Sequence, residues 1–380
     1  MRDDCPQITW LDDAGQPQPV DWRSLAGHPA PARVVVADEQ LAADAAFGLI
    51  AQGQALLWRG GYPAARQLLQ ALGRRLDRRQ QRPTRTAATL AEAWALQRRQ
   101  QAERARLLGQ LLLPFDADHG LPLARAPDVR AAGLQAHGPV GRHYVASLRE
   151  LLGLVGAFEW RRKGVVIPAL GASIHPHHGV FSPVRGEYVD LVAGAALPAA
   201  APAHGAFDIG TGTGVLAALL ARRGLQVLAT DLSSAALACA ADNLQRLGLA
   251  GQVTLLQADL FPPGQAGLVV CNPPWVPAPA HAGLDAAVYD PDSRMLRGWL
   301  AGLAAHLVPG GEGWLILSDL AEHLGLRPRD QLLAWIAAAG LRVLGRSEAR
   351  PQHRRAMDAA DPLHAARSAE RTSLWRLGAA

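Results

Sequence analysis

Apolar and polar positions change rhythm near residue 206. Before it, helical spacing dominates, over 39–58, 62–80 and Ala87–Leu113, with Leu90, Trp94, Ala105, Leu108 and Leu112 on one face of the third segment. Pro83 separates the second segment from the third, and 143–156 reads as another amphipathic helix. Strand signals in this half are short: the β-branched run Arg33–Ala37 and Val165–Ile167. Residues 1–32, with Trp10 and Trp22, form an irregular lead-in, and 114–142 is loop-like. The Ala/Pro-rich stretch from Ala195 to His204 marks a boundary loop.

From Ala206 onward short apolar runs alternate regularly with helical ones. Strands are expected at Ala206–Ile209, Val227–Asp231, Val253–Ala258, Leu268–Cys271 and Gly313–Ser318, with helices after Gly214, over 234–247, near 293–307 and over 328–339. Units of this length build a parallel sheet with right-handed crossovers. Two last runs, 341–349 and 372–377, have no helical pattern between them and suggest an antiparallel hairpin at one edge. The expectation is a mainly helical, arginine-rich domain over 1–170, followed by an α/β domain over 171–380.

Composition supports a folded chain. At 49% apolar and 19% charged residues it is neither disordered nor fibrous, and 380 residues suit two domains. Lys163 is the single lysine among 38 basic residues, a bias that a GC-rich genome explains as readily as a need for guanidinium. The net charge of +5 is uneven: residues 41–110 hold twelve arginines against Asp44, Asp77, Glu92 and Glu103. Clusters at Arg74, Arg75, Arg78, Arg79 and at Arg98, Arg99, Arg104, Arg106 suit RNA or an acidic partner, or are solvated helix faces. Cys5, Cys239 and Cys271 are too few for a disulfide framework or a zinc cage. The opening residues lack a signal peptide's apolar core, and no apolar stretch reaches the ~20 residues of a membrane span. A cytoplasmic protein is expected.

Four successive strand ends carry polar signatures, where open α/β sheets bind ligands. Gly210, Gly212 and Gly214 allow a tight turn and close backbone approach, a device that NAD sites and plain turns share. Asp231, about twenty residues on, is placed to accept ribose hydroxyls, and Asp259 an adenine amino group; each taken singly also fits a helix cap or turn. The fourth signature is Asn272-Pro273-Pro274-Trp275. Its prolines stiffen the backbone, so the Asn272 amide oxygen and a carbonyl near Pro273 offer two acceptors to one planar NH₂ group. Accepting its hydrogens leaves nitrogen lone-pair density for attack on an activated methyl. Trp275 offers a flat face for a planar amide or base.

With these residues in place, the stretch from about 181 to 377 resembles a class I S-adenosylmethionine-dependent methyltransferase of the N-methylating, Asn-Pro-Pro-aromatic type. The resemblance implies a Rossmann-like sheet of seven strands with its last hairpin antiparallel. It implies that Asp208, Gly210, Thr211, Gly212 and Gly214 hold the methionine end of the cofactor, Asp231 the ribose and Asp259 the adenine. Asn272 and Pro273 would bind the methyl-accepting nitrogen, beside Trp275. Ser182–Tyr188 and Val288–Leu296 are similar to elements of the release-factor glutamine methyltransferases, and make Arg185, Glu187 and Tyr188 candidates for substrate contact. Trp275 stands where tyrosine is usual there. Total length and the C-terminal catalytic domain look more like ribosomal-RNA guanine-N2 methyltransferases.

The expected activity is methyl transfer to a planar amide or exocyclic amine, on a protein glutamine or an RNA base, and the arginine clusters suit RNA or a ribosome-bound target. A small-molecule amine and a non-catalytic cofactor-binding module are the alternatives. The His175-Pro-His177-His178-Gly179 stretch fits a loop roofing the site, a surface loop or, given one more ligand, a metal site; no metal is expected. Cys271 is expected to point into the core.

Overall fold

The computed structural model describes residues 5–12, 14–80, 87–184, 186–279, 287–351, 358 and 361–380. Pro83 and Arg185, both singled out above, lie outside them. The chain divides into one unit of Met1–Ala87 with Ala95–Glu159 and a second of Ala88–Trp94 with Trp160–Ala380. The division thus falls near residue 160 and not at Ala195–His204, which lies within the second unit and ends in a helical turn; one early segment counts to the second unit because Leu90, Ala93 and Trp94 pack beside Leu324 and Leu363.

The first unit has strands β1 (Gln7–Leu11), β2 (Pro17–Trp22), β3 (Val34–Ala37), β4 (Ala55–Trp58), β5 (Leu111–Phe115) and β6 (Tyr144–Ser147). They form one sheet in the order β1-β2-β6-β5-β4-β3, with β3, β4 and β5 parallel and β6 antiparallel to β5. The expected helices are there, as Ala43–Ala51, Tyr62–Gln80, Leu90–Leu108 and Leu148–Lys163. What the sequence reading lacks is the sheet they lie on. It runs one helix to 58, over β4, extends another to Leu113, over β5, and starts a third at 143, over β6; it also leaves β1 and β2 as an irregular lead-in and Arg130–His137, a helix, as loop. The reason is physical: β5 and β6 are almost wholly buried, so they show no alternation of their own and merge with the helical pattern beside them.

In the second unit β7 (Val165–Ile167) and β8 (Ala172–Ile174) make a small antiparallel ribbon. The main sheet has β9 (Ala206–Ile209), β10 (Val227–Asp231), β11 (Val253–Gln257), β12 (Ala266–Cys271), β13 (Leu307–Ser318), β14 (Leu341–Ala349) and β15 (Thr372–Ala379). Its order is β11-β10-β9-β12-β13-β15-β14. The first five strands are parallel, and β15 inserts antiparallel between β13 and β14. This is the seven-stranded sheet with an antiparallel end that the resemblance implies. The two last strands are joined across residues 350–371, a long link carrying the helix His364–Ala369, so they pair without a tight turn.

Strand alternation sorts the core into two layers. Leu268, Val270, Trp314 and Ile316 face one apolar layer, and Val269, Cys271, Leu315 and Leu317 the other. β9 and β12 are buried at every position, as strands covered on both faces must be. Strand order reverses between β9 and β12, and their carboxyl ends open the crevice where such sheets bind ligands.

Candidate active site

In-register pairing brings the two central signatures together. Ile209 pairs with Cys271, so Gly210 and Asn272 leave neighbouring strands at one level, roughly 4.8 Å apart by sheet spacing. Cys271 itself is fully buried, and burial pushes its thiol up, as suits a core residue.

The glycine loop bends with φ of 72° at Gly210, 55° at Gly212 and 79° at Gly214, a region that L side chains rarely adopt. The three differ in surroundings. A Cβ on Gly210 would lie 2.7 Å from the Met295 methyl, and one on Gly214 3.1 Å from Ala240 Cβ, whereas one on Gly212 would meet nothing within 4 Å. Gly210 and Gly214 therefore let neighbouring elements close in, while Gly212 presents bare backbone to open space. A cofactor needs such a face.

Two carboxylates brace the loop. Asp208 is 1% exposed, and its Oδ2 accepts from Thr211 Oγ1 at 2.7 Å and from the Ala217 amide at 3.0 Å. Burial pushes its carboxyl up to about 6; those hydrogen bonds pull down, and the Asp231 charge adds to the rise. Asp231 Oδ2 accepts from the Gly212 amide and Oδ1 from that of Ser233, each at 2.9 Å. Each oxygen keeps a second lone pair for a ligand hydroxyl. Asp259, two residues past β11, is half exposed and ion-paired with Arg294 at 2.6 Å.

On the other side of the crevice, Trp275 Nε1 donates to Asn272 Oδ1 at 2.8 Å. Its ring is partly buried against both apolar layers. The loop beyond is tied to the Val288–Leu296 segment: the Val276 amide donates to the Val288 carbonyl, and the Asp290 amide to the Val276 carbonyl. Buried Asp290 accepts from the Met295 and Leu296 amides, capping the helix Arg294–Leu303 and setting Met295 against Gly210. That segment thereby meets both the glycine loop and the Asn-Pro-Pro-Trp loop. Glu187 opens the helix Glu187–Gly194. Tyr188, by contrast, is 3% exposed and sits in the core, where burial raises its hydroxyl pKa. It does not face outward as a substrate-contacting residue does.

The histidine stretch is a strap. His175 donates through its amide to Asn243 Oδ1 at 2.7 Å and through Nδ1 to the Arg161 carbonyl, while His177 Nε2 meets Asp242 Oδ2 at 3.1 Å. Burial, helped by the Arg161 and Arg246 charges, lowers the His177 pKa against the pull of Asp242. Among the described residues no group of three His, Cys, Asp or Glu is arranged to hold a metal. The sequence reading missed Asn243, which is 1% exposed and also donates from Nδ2 to the Thr213 carbonyl at 3.0 Å. It links strap to glycine loop. Its signal was there: a lone amide on the apolar face of Ala236, Cys239, Ala240 and Leu244.

Comparison with known proteins gives the following matches. Residues 171–326 match the family model of the methyltransferase small domain. The release factor glutamine methyltransferase of Moorella thermoacetica is 43% identical over 149 residues, covering 33% of this chain and 53% of the relative. That of Cereibacter sphaeroides is 41% identical over 149 residues, covering 37% and 50%. The ribosomal RNA small subunit methyltransferase C of Alcanivorax borkumensis is 34% identical over 114 residues, covering 29% and 30%. The chain thus spans about half the length of the first two relatives. Sheet order, strand-end loops and sequence agree in likening residues 171–326 to the methyltransferase small domain.

Proposed function

We propose that this chain transfers the methyl group of S-adenosylmethionine to the nitrogen of a planar amide or exocyclic amine, with a protein glutamine as first candidate. The observation that carries this reading is the Ile209–Cys271 pairing, which sets the glycine loop and the Asn-Pro-Pro-Trp loop side by side at the point where strand order reverses. When bound, S-adenosylmethionine supplies a methyl group on a sulfonium centre, open to direct displacement by a nitrogen lone pair.

The chain's own residues then have distinct tasks. Gly210, Gly212 and Gly214 shape the bed for the methionine end, with Asp208 and Thr211 bracing it from within the core. Asp231 accepts from the ribose, and Asp259 takes the adenine amino group on the oxygen that Arg294 leaves open. Asn272 Oδ1 and the Pro273 carbonyl accept the two hydrogens of the amide NH₂, turning its lone pair toward the methyl and stabilising positive charge as it grows. Proximity and alignment supply most of the rate, with no covalent intermediate. Glu187 stays a substrate-side candidate.

An RNA amine is the second reading, favoured by the arginines on the helices Tyr62–Gln80 and Leu90–Leu108. In either case the partner belongs to the translation apparatus, and the enzyme to the cytoplasm; no described helix is long and apolar enough to cross a membrane. Methyl-labelled S-adenosylmethionine, incubated with the protein and a whole-cell extract, tests both. Label in protein as N-methylglutamine supports the first reading and label in RNA the second. Label in small molecules alone, or none, removes both. Asn272→Ala should abolish labelling by about a hundredfold or more while cofactor affinity holds.

A further inference from the structure

We infer that Trp275 is a positioning residue that fixes which way the Asn272 side-chain amide faces. The inference rests on the proposed role of Asn272 as acceptor for the methylated nitrogen. Its basis is the 2.8 Å hydrogen bond from the indole Nε1 to Asn272 Oδ1. An indole N–H only donates, whereas a carboxamide presents an acceptor at one end and a donor at the other. Turning the Asn272 amide over would set its NH₂ against the indole N–H, so the bond selects one orientation. That orientation keeps Oδ1 in place, one lone pair engaged and the other left for a substrate N–H.

The donor is itself held. Pro273 and Pro274 fix two φ angles between the partners, so little chain freedom is lost in closing the bond. The Trp275 ring packs against both apolar layers, and its carbonyl accepts, at a long 3.4 Å, from Nη2 of Arg327, which is 2% exposed. Phenylalanine at this position would keep a flat face but has no donor. Tyrosine carries its hydroxyl at the far end of the ring, away from the place of the indole nitrogen. The bond is a property of this chain's Asn-Pro-Pro-Trp loop, and it adds to the stacking expected of the aromatic.

Two measurements test it. In protein labelled with ¹⁵N at tryptophan indoles, the signal lost in Trp275→Phe identifies Trp275. It should shift and exchange faster with water in Asn272→Ala, yet stay bonded in Asn272→Asp, which keeps an acceptor. A signal indifferent to Asn272→Ala overturns the inference. The second measurement is methyl transfer to a purified bacterial release factor, or to total RNA if the label goes there. Trp275→Phe and Trp275→Tyr should lower kcat about tenfold or more, with KM and S-adenosylmethionine affinity within twofold. Full kcat with a raised KM would show that the ring only stacks, and overturns the inference. A wild-type protein that methylates neither substrate sinks the proposed function instead, and the indole signal still decides the hydrogen bond.

Discussion

Asp208 shows how a single buried carboxylate can serve a site and weaken the fold. Its pKa rises from 3.8 to about 6 on folding, mainly through burial. The folded state therefore holds the proton more tightly, and stability falls as pH climbs from about 4 through about 6, by roughly 3 kcal/mol in full. Asp208→Asn should remove this slope: denaturation midpoints of variant and parent should converge near pH 4 and separate above pH 6, with the variant more stable. Parallel curves would show the carboxylate ionises freely. Asp231 is partly exposed, with both oxygens on backbone amides. Asp231→Ala should weaken S-adenosylmethionine binding by about 1.5–3 kcal/mol in calorimetry, without unfolding the sheet; unchanged affinity would remove its ribose role. Asp231 was legible as a strand-end residue, whereas Asp208, inside β9, came only with the family resemblance. The Trp275–Asn272 bond was not legible, because neighbours three apart in a loop meet only when the loop's path is known.

At the scale of elements, the glycine loop depends on the helix Ser234–Arg246 as much as on its own residues. Asn243 ties the Thr213 carbonyl to the His175 amide, and Ala240 packs where Gly214 leaves room. Asn243→Ala strands a buried donor and acceptor and should lower stability by about 1–3 kcal/mol in denaturant titration, weakening cofactor affinity as well. A loss confined to stability would mean that the strap does not shape the loop. Most strands of the second unit were readable as short runs set off from helical ones, and β14 starts and ends where the pattern places it, but β13 begins at Leu307, six residues before the expected Gly313. In the first unit the fully buried β5 and β6 abut helices without a polar break, and periodicity by itself does not separate them.

For the whole molecule the open question is the acceptor, and charge is the lever. Of the arginines in the first unit, Arg75 pairs with Asp44 at 2.6 Å and Arg104 with Asp77 at 3.0 Å, so part of the basic excess is neutralised in place. If RNA docks there, affinity should fall with salt with a slope of about −0.7 per single-strand phosphate neutralised. Replacing Arg74, Arg75, Arg78 and Arg79 by Gln should flatten that slope and leave S-adenosylmethionine affinity intact. Salt-independent RNA binding, or none, would leave the glutamine substrate in front.

The sequence by itself determined the fold class of the second unit, because short strands, glycine turns and a stiff Asn-Pro-Pro-Trp loop are local features that need no partner to be recognised. Tertiary structure decided what depends on meetings across the chain. It put Gly210 beside Asn272 by strand register, set Met295 over the glycine loop and turned the histidine stretch into a strap. It also placed Tyr188 in the core and laid the first unit's helices on a six-stranded sheet. Periodicity records which face of a segment is buried, and only packing says against what.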